Sequence, residues 1–318
     1  MLKKFCCILA VVTGLFMMAP GAQAAAKYPS KPIHLVVPWA AGGGTDVVAR
    51  ALAESMRKLV TVPVVVDNIT GAGGSTGNKA VADATPDGHT ILFNGDTDIL
   101  GAVTMMQGGY DLDSFTYIGG VFYSPTWILS HVDTGITDIK DFLDKAKADP
   151  GKLVLGSTTP AGAQMVMAAS IQSATNAPFR IIPYQGGSDM TKALLGNQVP
   201  AGIIHAPVML NEVKAGTIRV IGTGGSLANC SYEPLRGMKT LEEIGIPVSM
   251  GIYRGLMVPK NTPDDVVAQL TEIVKKAAAS TEFAEFGERF GFLPQWCDGA
   301  EYEKNIKEQL KSFEHMSR

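Results

Sequence analysis

Short apolar, β-branched runs alternate along the chain with longer stretches whose apolar positions recur at helical spacing. Runs at 33–37, 62–67, 90–94, 153–156, 181–184, 202–205 and 218–223 predict strands, several bounded by glycine or proline. The intervening periodicity predicts helices over 45–59, 76–84, 138–148, 161–174, 189–195 and 207–215, then 263–279, 282–289 and 300–312. In the first helix, positions 48, 51, 52, 56 and 59 form one apolar face, and Thr45 and Asp46 are suited to cap its start. This alternation is that of an α/β protein with largely parallel sheets. A chain of 318 residues usually divides into lobes, with 124–126 and 251–256 as plausible crossing points.

The N-terminus changes the picture by adding an address. Lys3 and Lys4 precede an apolar stretch, 5–18, and a small-residue cleavage pattern, Ala22-Gln23-Ala24. Residues 1–24 therefore read as a signal peptide cleaved after Ala24, and export is expected. The apolar stretch is too short for a membrane span, which needs about 20 apolar residues. Loss of Lys3 and Lys4 takes the formal charge from −3 to −5, since two positive charges leave. A nucleic-acid partner is not expected, because the remaining lysines and arginines form no basic block. Cys6 and Cys7 leave with the leader. Cys230 and Cys297 can form one disulfide in an oxidising compartment or remain two buried thiols. No metal is expected, because cysteine and histidine do not occur at ligand spacing, and no cofactor, because no glycine loop matches a nucleotide-binding pattern.

The mature start runs Tyr28-Pro29-Ser30-Lys31-Pro32-Ile33 into a strand and then into Val37-Pro38-Trp39-Ala40-Ala41-Gly42-Gly43-Gly44-Thr45-Asp46, with Arg50 one turn on. In these blocks the chain resembles the Bug-type receptors of the tripartite tricarboxylate transporter family. The likeness continues through Asn68-Ile69-Thr70-Gly71-Ala72-Gly73-Gly74-Ser75-Thr76-Gly77, Pro86-Asp87-Gly88-His89-Thr90, Pro183-Tyr184-Gln185-Gly186-Gly187, Leu241-Glu242-Glu243-Ile244-Gly245 and Val258-Pro259-Lys260-Asn261-Thr262-Pro263, in the family's order. It implies a two-lobed periplasmic-binding-protein (Venus flytrap) fold with a mixed, mostly parallel sheet in each lobe. Lobe 1 is expected to be 25–125 plus 251–318, and lobe 2 to be 126–250. It further implies a non-enzymatic, monomeric receptor that hands a small organic carboxylate to integral membrane subunits of the transporter.

Elementary physics points to the same loops. A helix start offers unpaired N–H groups and about half a positive charge, so a glycine-rich strand-to-helix turn can hold an anion. Ligands of open α/β sheets sit at the carboxyl ends of strands. The expected first-lobe site is Ala40, Ala41 and Thr45 as donors, Asp46 as cap or acceptor, and Asn94, Gly95 and Asp96 on the neighbouring loop. Ser157, Thr158, Thr159 and Ala163 are expected opposite, with Tyr184, Gly186, Gly187 and His205 completing the cleft. Trp39 either stacks on the ligand or covers the core, and His205 is either a hydrogen-bonded strand end or a pH-sensitive contact. Two rival functions share the sequence. One is a sensing receptor for a membrane signalling partner. The other is an α/β hydrolase using Ser75, because Gly73-Gly74-Ser75-Thr76-Gly77 fits G-x-S-x-G and His205 or His131 is available downstream.

Overall fold

The computed structural model describes residues 28–106, 108–158, 160, 162–205, 209–225, 227, 235–290 and 293–314. The expected leader, Thr159, Cys230 and the start of the helix expected at 207–215 lie outside the described residues.

The first unit follows the sequence pattern up to its third strand. Strand β1 (Ile33–Val37) leads through the glycine loop to helix α1 (Gly44–Arg57), followed by β2 (Val64–Asn68), α2 (Ser75–Ala82), β3 (Thr90–Gly95) and α3 (Asp96–Met106). Helix α1 turns Val48, Ala49, Leu52, Ala53 and Met56 onto the sheet, where all are fully buried. Arg57 ends it by giving two N–H groups to the carbonyl of Val64. Strands β1 to β3 pair in parallel, as helical crossovers require.

A 17-residue strand, β4 (Phe115–His131), then runs out of this unit. Its second part supports α4 (Ile139–Ala148), β5 (Val154–Ser157), α5 (Ala163–Thr175), β6 (Arg180–Pro183), α6 (Gly187–Leu195), β7 (Ala201–His205), α7 (Leu210–Lys214) and β8 (Ile218–Gly224). The chain returns through β9 (Gly251–Pro259), followed by α8 (Asp264–Ala278), α9 (Thr281–Phe290), β10 (Leu293–Asp298) and α10 (Gly299–Glu314).

Pairing changes partners partway along β4. From Phe115 to Pro125 it runs antiparallel to β9, and from Thr126 to His131 antiparallel to β7 and β8. The strand order β2-β1-β3-β9-β4-β7-β5-β6 therefore has one half on each side of β4. The sheet is mixed, but less parallel than the sequence pattern suggests. Every antiparallel pairing involves β4 or β9, because those strands run between the halves instead of following a helical crossover. Each half has its own core. One gathers β1, α1, β3, α8 and Phe283, and the other Phe142, Ile171, Ile203 and Leu241 from the far side.

Strands β4, β9 and β10 and helix α3 were not expected from periodicity. In β4, Gly119-Gly120 reads as a break, yet Gly119 sits at φ 152° between two register shifts. It forms a bulge, where a side chain would strike Trp296 and the Cys297 carbonyl.

Candidate ligand-binding cleft

A cavity of about 100 Å³ opens between the two halves of the sheet. Trp39, Ala40, Gly43, Gly44 and Thr45 from the β1–α1 loop, Asp98 from α3 and Arg254 from β9 form one wall. Thr158 after β5, Gln164 of α5, residues 185–189 at the start of α6, and Ile204 and His205 of β7 form the other. Most of these positions follow the carboxyl ends of strands, as the ligand-site rule for open sheets expects.

The first loop is held by its own polar groups. Gly42 lies at φ 79°, a left-handed conformation in which glycine has no steric cost. Its N–H donates to Asp46 Oδ2 at 2.8 Å, and the Gly43 N–H donates to the Ala40 carbonyl at 3.2 Å. Arg50 Nε donates to Asp46 Oδ2 at 3.0 Å and Asn68 Nδ2 to Oδ1 at 2.9 Å. Asn68 Nδ2 also reaches the Trp39 carbonyl at 2.9 Å. Burial alone would raise the Asp46 pKa, but hydrogen bonds from Arg50, Gly42 and Asn68 outweigh it and hold the carboxyl below its ordinary value. Asp46 is thus committed to the loop and does not line the cavity. Nor is it the cap: Gly43 occupies that place without a side-chain bond, and the helix begins at Gly44. Ala41 is exposed outside the lining, while Ala40 and Thr45 face the cavity.

Trp39 contributes its ring to the wall and donates its indole N–H to Asn94 Oδ1 at 3.0 Å. Asn94, itself held by Asn78 at 3.1 Å, positions the tryptophan and does not line the cavity. Gly95 packs too tightly for any side chain, with Ile252 2.3 Å from an added Cβ. Asp96 lies beneath the wall, accepting from the Thr97 N–H at 2.6 Å and from Gln309 Nε2 at 3.3 Å. Burial pushes its carboxyl up to about 7 despite those donors, and nearby Asp98 adds to the rise.

The strongest charge in the cavity was not anticipated. Arg254, 4% exposed, projects from the middle of β9. Nε donates to Thr45 Oγ1 at 2.8 Å, and Nη2 approaches Asp98 Oδ2 only to 3.9 Å. Nη1 is buried with no partner among the described residues. The guanidinium carbon stands 5.6 Å from the centre of the Phe122 ring, a cation–π contact. Burial raises the Asp98 pKa and Arg254 partly offsets that rise. The visible signal for this residue was an arginine inside an otherwise apolar run, Gly251 to Pro259.

On the opposite wall the polar atoms are also underused. His205 Nδ1 lies 3.3 Å from Thr126 Oγ1, whereas Nε2 is buried without a partner among the described residues. Burial, reinforced by Arg254, holds the ring well below its ordinary pKa, so it is neutral near pH 7. Gln164 Oε1 is likewise buried and unpartnered among the described residues. Thr158, Gly186 and Gly187 line the cavity, but Ser157, Ala163 and Tyr184 stand behind the lining. Gln185 and Ser188, from the strand-end loop 184–188, also line it, and Gln164, Asp189 and Ile204 complete it without having been expected.

The remaining chemical candidates lie elsewhere. Ser75 is hydrogen-bonded to Tyr110, not to a histidine, and neither it nor His131 lines the cavity. Cys297 is a free, buried thiol, raised to about 12 by burial and by Glu301 and Asp298; its expected partner Cys230 lies outside the described residues. Among the described residues no cluster of acids, cysteines or histidines could hold a metal, and no helix is long and apolar enough to cross a membrane.

A mixed α/β sheet in two halves, with a cavity between them that holds a buried guanidinium, is the architecture of the solute-binding receptor class. The chain belongs to the tripartite tricarboxylate transporter receptor family: the family profile, "Tripartite tricarboxylate transporter family receptor", matches residues 48–317. Its members are receptors, not enzymes. Protein BugT of Bordetella pertussis is 28% identical over 287 residues, covering 87% of this chain and 86% of BugT. The solved periplasmic binding protein BugD is 28% identical, with a TM-score of 0.81, over 91% of this chain and 97% of that one. MatC from Rhodopseudomonas palustris, solved with bound malate, shares the fold at a TM-score of 0.82 and 23% identity, over 92% of this chain and 100% of its own.

Proposed function

We propose that this chain is an exported periplasmic receptor that captures a small organic carboxylate between two lobes and delivers it, as a monomer, to integral membrane subunits of a tripartite tricarboxylate-type transporter. The lobes are 25–125 plus 251–318, and 126–250, and the leader is cleaved near Ala24. Strand β4 changes pairing partners between Pro125 and Thr126, and β9 begins at Gly251, which supports that division. The observation that carries the reading is the cavity itself, walled from both halves and containing a buried guanidinium whose Nη1 has no partner among the described residues. Desolvated cations of this kind need an anion. Bound malate in the similarly folded MatC supports a carboxylate as that anion. Residues of both walls close on one molecule, so binding energy stabilises the closed form that the membrane partner meets.

Calorimetry of the exported protein with malate, adipate and citrate, paired with small-angle scattering, tests the proposal. The expected result is a saturable ligand that also reduces the radius of gyration. Absence of binding across the carboxylates, or binding without compaction, overturns lobe-closing capture. A sensing role predicts the same binding, but complex formation with a membrane signalling protein instead of the transporter subunits.

A further inference from the structure

Arg254 is the only lysine or arginine among the described residues that line the cavity. Its guanidinium is poorly matched within the protein. Nε is committed to Thr45 Oγ1 at 2.8 Å, Nη2 is 3.9 Å from Asp98, and Nη1 has no partner among the described residues. Guanidinium donors form a planar fork that suits a carboxylate, and a buried donor left empty is costly. Among the described residues the cavity offers no second cation to balance a second carboxylate. Two acids share the lining instead: Asp98, buried beside the guanidinium, and Asp189 in the first turn of α6. On the opposite wall, Gln164 and His205 carry Oε1 and Nε2, both uncharged, buried and unpartnered among the described residues.

We propose that Arg254 anchors one ligand carboxylate while Gln164 and His205 receive an uncharged polar group at the other end of the same molecule. The receptor thereby selects a monoanion over the corresponding diacid. This rests on carboxylate capture as proposed above and narrows it to a charge class. Thr45 is a positioning residue here, since it holds Nε and leaves the other arm of the fork to the ligand. Asp98 is a selectivity residue, repelling any second carboxylate brought near Arg254.

The test is calorimetry on the exported protein at pH 7.5 with acetate as the minimal carboxylate, and with two matched pairs: adipate and its monoamide, L-malate and its 4-amide. Each monoamide is expected to bind about 10-fold or more tightly than its diacid, and acetate to bind weakly but saturably. Arg254→Gln is expected to weaken the monoamides by about 100-fold or more, with Arg254→Lys recovering only part, because an ammonium cannot serve Thr45 and the ligand through one rigid fork. Asp98→Asn should narrow the monoamide-to-diacid ratio, a readout that a purely structural role for Asp98 would not move. If Arg254→Gln does not fold, Arg254→Lys and Asp98→Asn decide the matter through affinity and ratio. Diacids binding more tightly than their monoamides, or monoamide affinity indifferent to Arg254, overturns this inference and leaves carboxylate capture standing. No binding by any of the five probes removes both.

Discussion

Two polar clusters flank the cavity, and they differ in how completely the protein satisfies them. Around Asp46, the Gly42 N–H, Arg50 and Asn68 converge on one carboxylate within 3.0 Å. Around Arg254, one good bond to Thr45 and one loose approach to Asp98 leave a buried nitrogen without a partner among the described residues. Both lie in parts of the chain rich in glycine, and a reading by residue type would rank the acidic glycine loop first. The difference teaches that a saturated cluster fixes geometry, whereas an unsaturated buried one is available to a ligand.

Asp96 gives the widest test of this contrast, because it is hydrogen-bonded and yet costly to ionise. A carboxyl raised from 3.8 to about 7 in the fold contributes stability that is complete below the unfolded value and lost as pH rises through about 7. The full loss is on the order of 4 kcal/mol. His205 has the opposite sign, costing stability as pH falls below 6.5, because its folded pKa is depressed. Urea denaturation of Asp96→Asn between pH 4 and 8, compared with the parent, should show the falling component removed. A difference curve that stays flat would mean that hydrogen bonding has cancelled burial at Asp96.

Asp46→Ala is next in size. It strips an acceptor from three donors at once and should cost about 2 kcal/mol of stability by urea denaturation. Ligand affinity should fall with it, through a loosened loop and not through a lost contact. The smallest effect on stability is expected at Arg254. Arg254→Met removes a poorly paired buried charge, and Asp98, whose pKa burial already raises, takes up a proton once the guanidinium is gone, so stability should remain within about 1 kcal/mol of the parent, although the cavity loses its cation. If that variant is destabilised as much as Asp46→Ala, the guanidinium is a structural group and the comparison collapses.

Much of the architecture was legible from local pattern. Strands β1, β3 and β8 and helices α1, α4 and α8 fall where β-branched runs and helical spacing put them. Their apolar faces are strong, and parallel crossover units repeat one simple rule. Strand β4 was not legible. Gly119-Gly120 and Ser124-Pro125 are ordinary punctuation in sequence, and only the bulge against Trp296 and the change of partner at Thr126 turn them into one continuous strand. Helix α3 was hidden for a similar reason: Asp96-Thr97-Asp98 looks like loop chemistry until burial and Gln309 account for it.

At the site, Trp39, Ala40, Thr45, Thr158, Gly186, Gly187 and His205 were anticipated and line the cavity. Ala41, Asp46, Asn94, Gly95, Asp96, Ser157, Ala163 and Tyr184 surround or support it. What the amino-acid order determined alone is the set of strand-end loops and glycine turns, because those depend on propensities and backbone freedom acting over a few residues. What tertiary structure decided is which polar atoms remain unpaired. Arg254 faces the cavity because β9 inserts antiparallel between β3 and β4, and Asp46 is withdrawn from it because Asn68 and Arg50 reach it first. Hydrogen-bond saturation is a sum over neighbours distant in sequence, so no local pattern carries it.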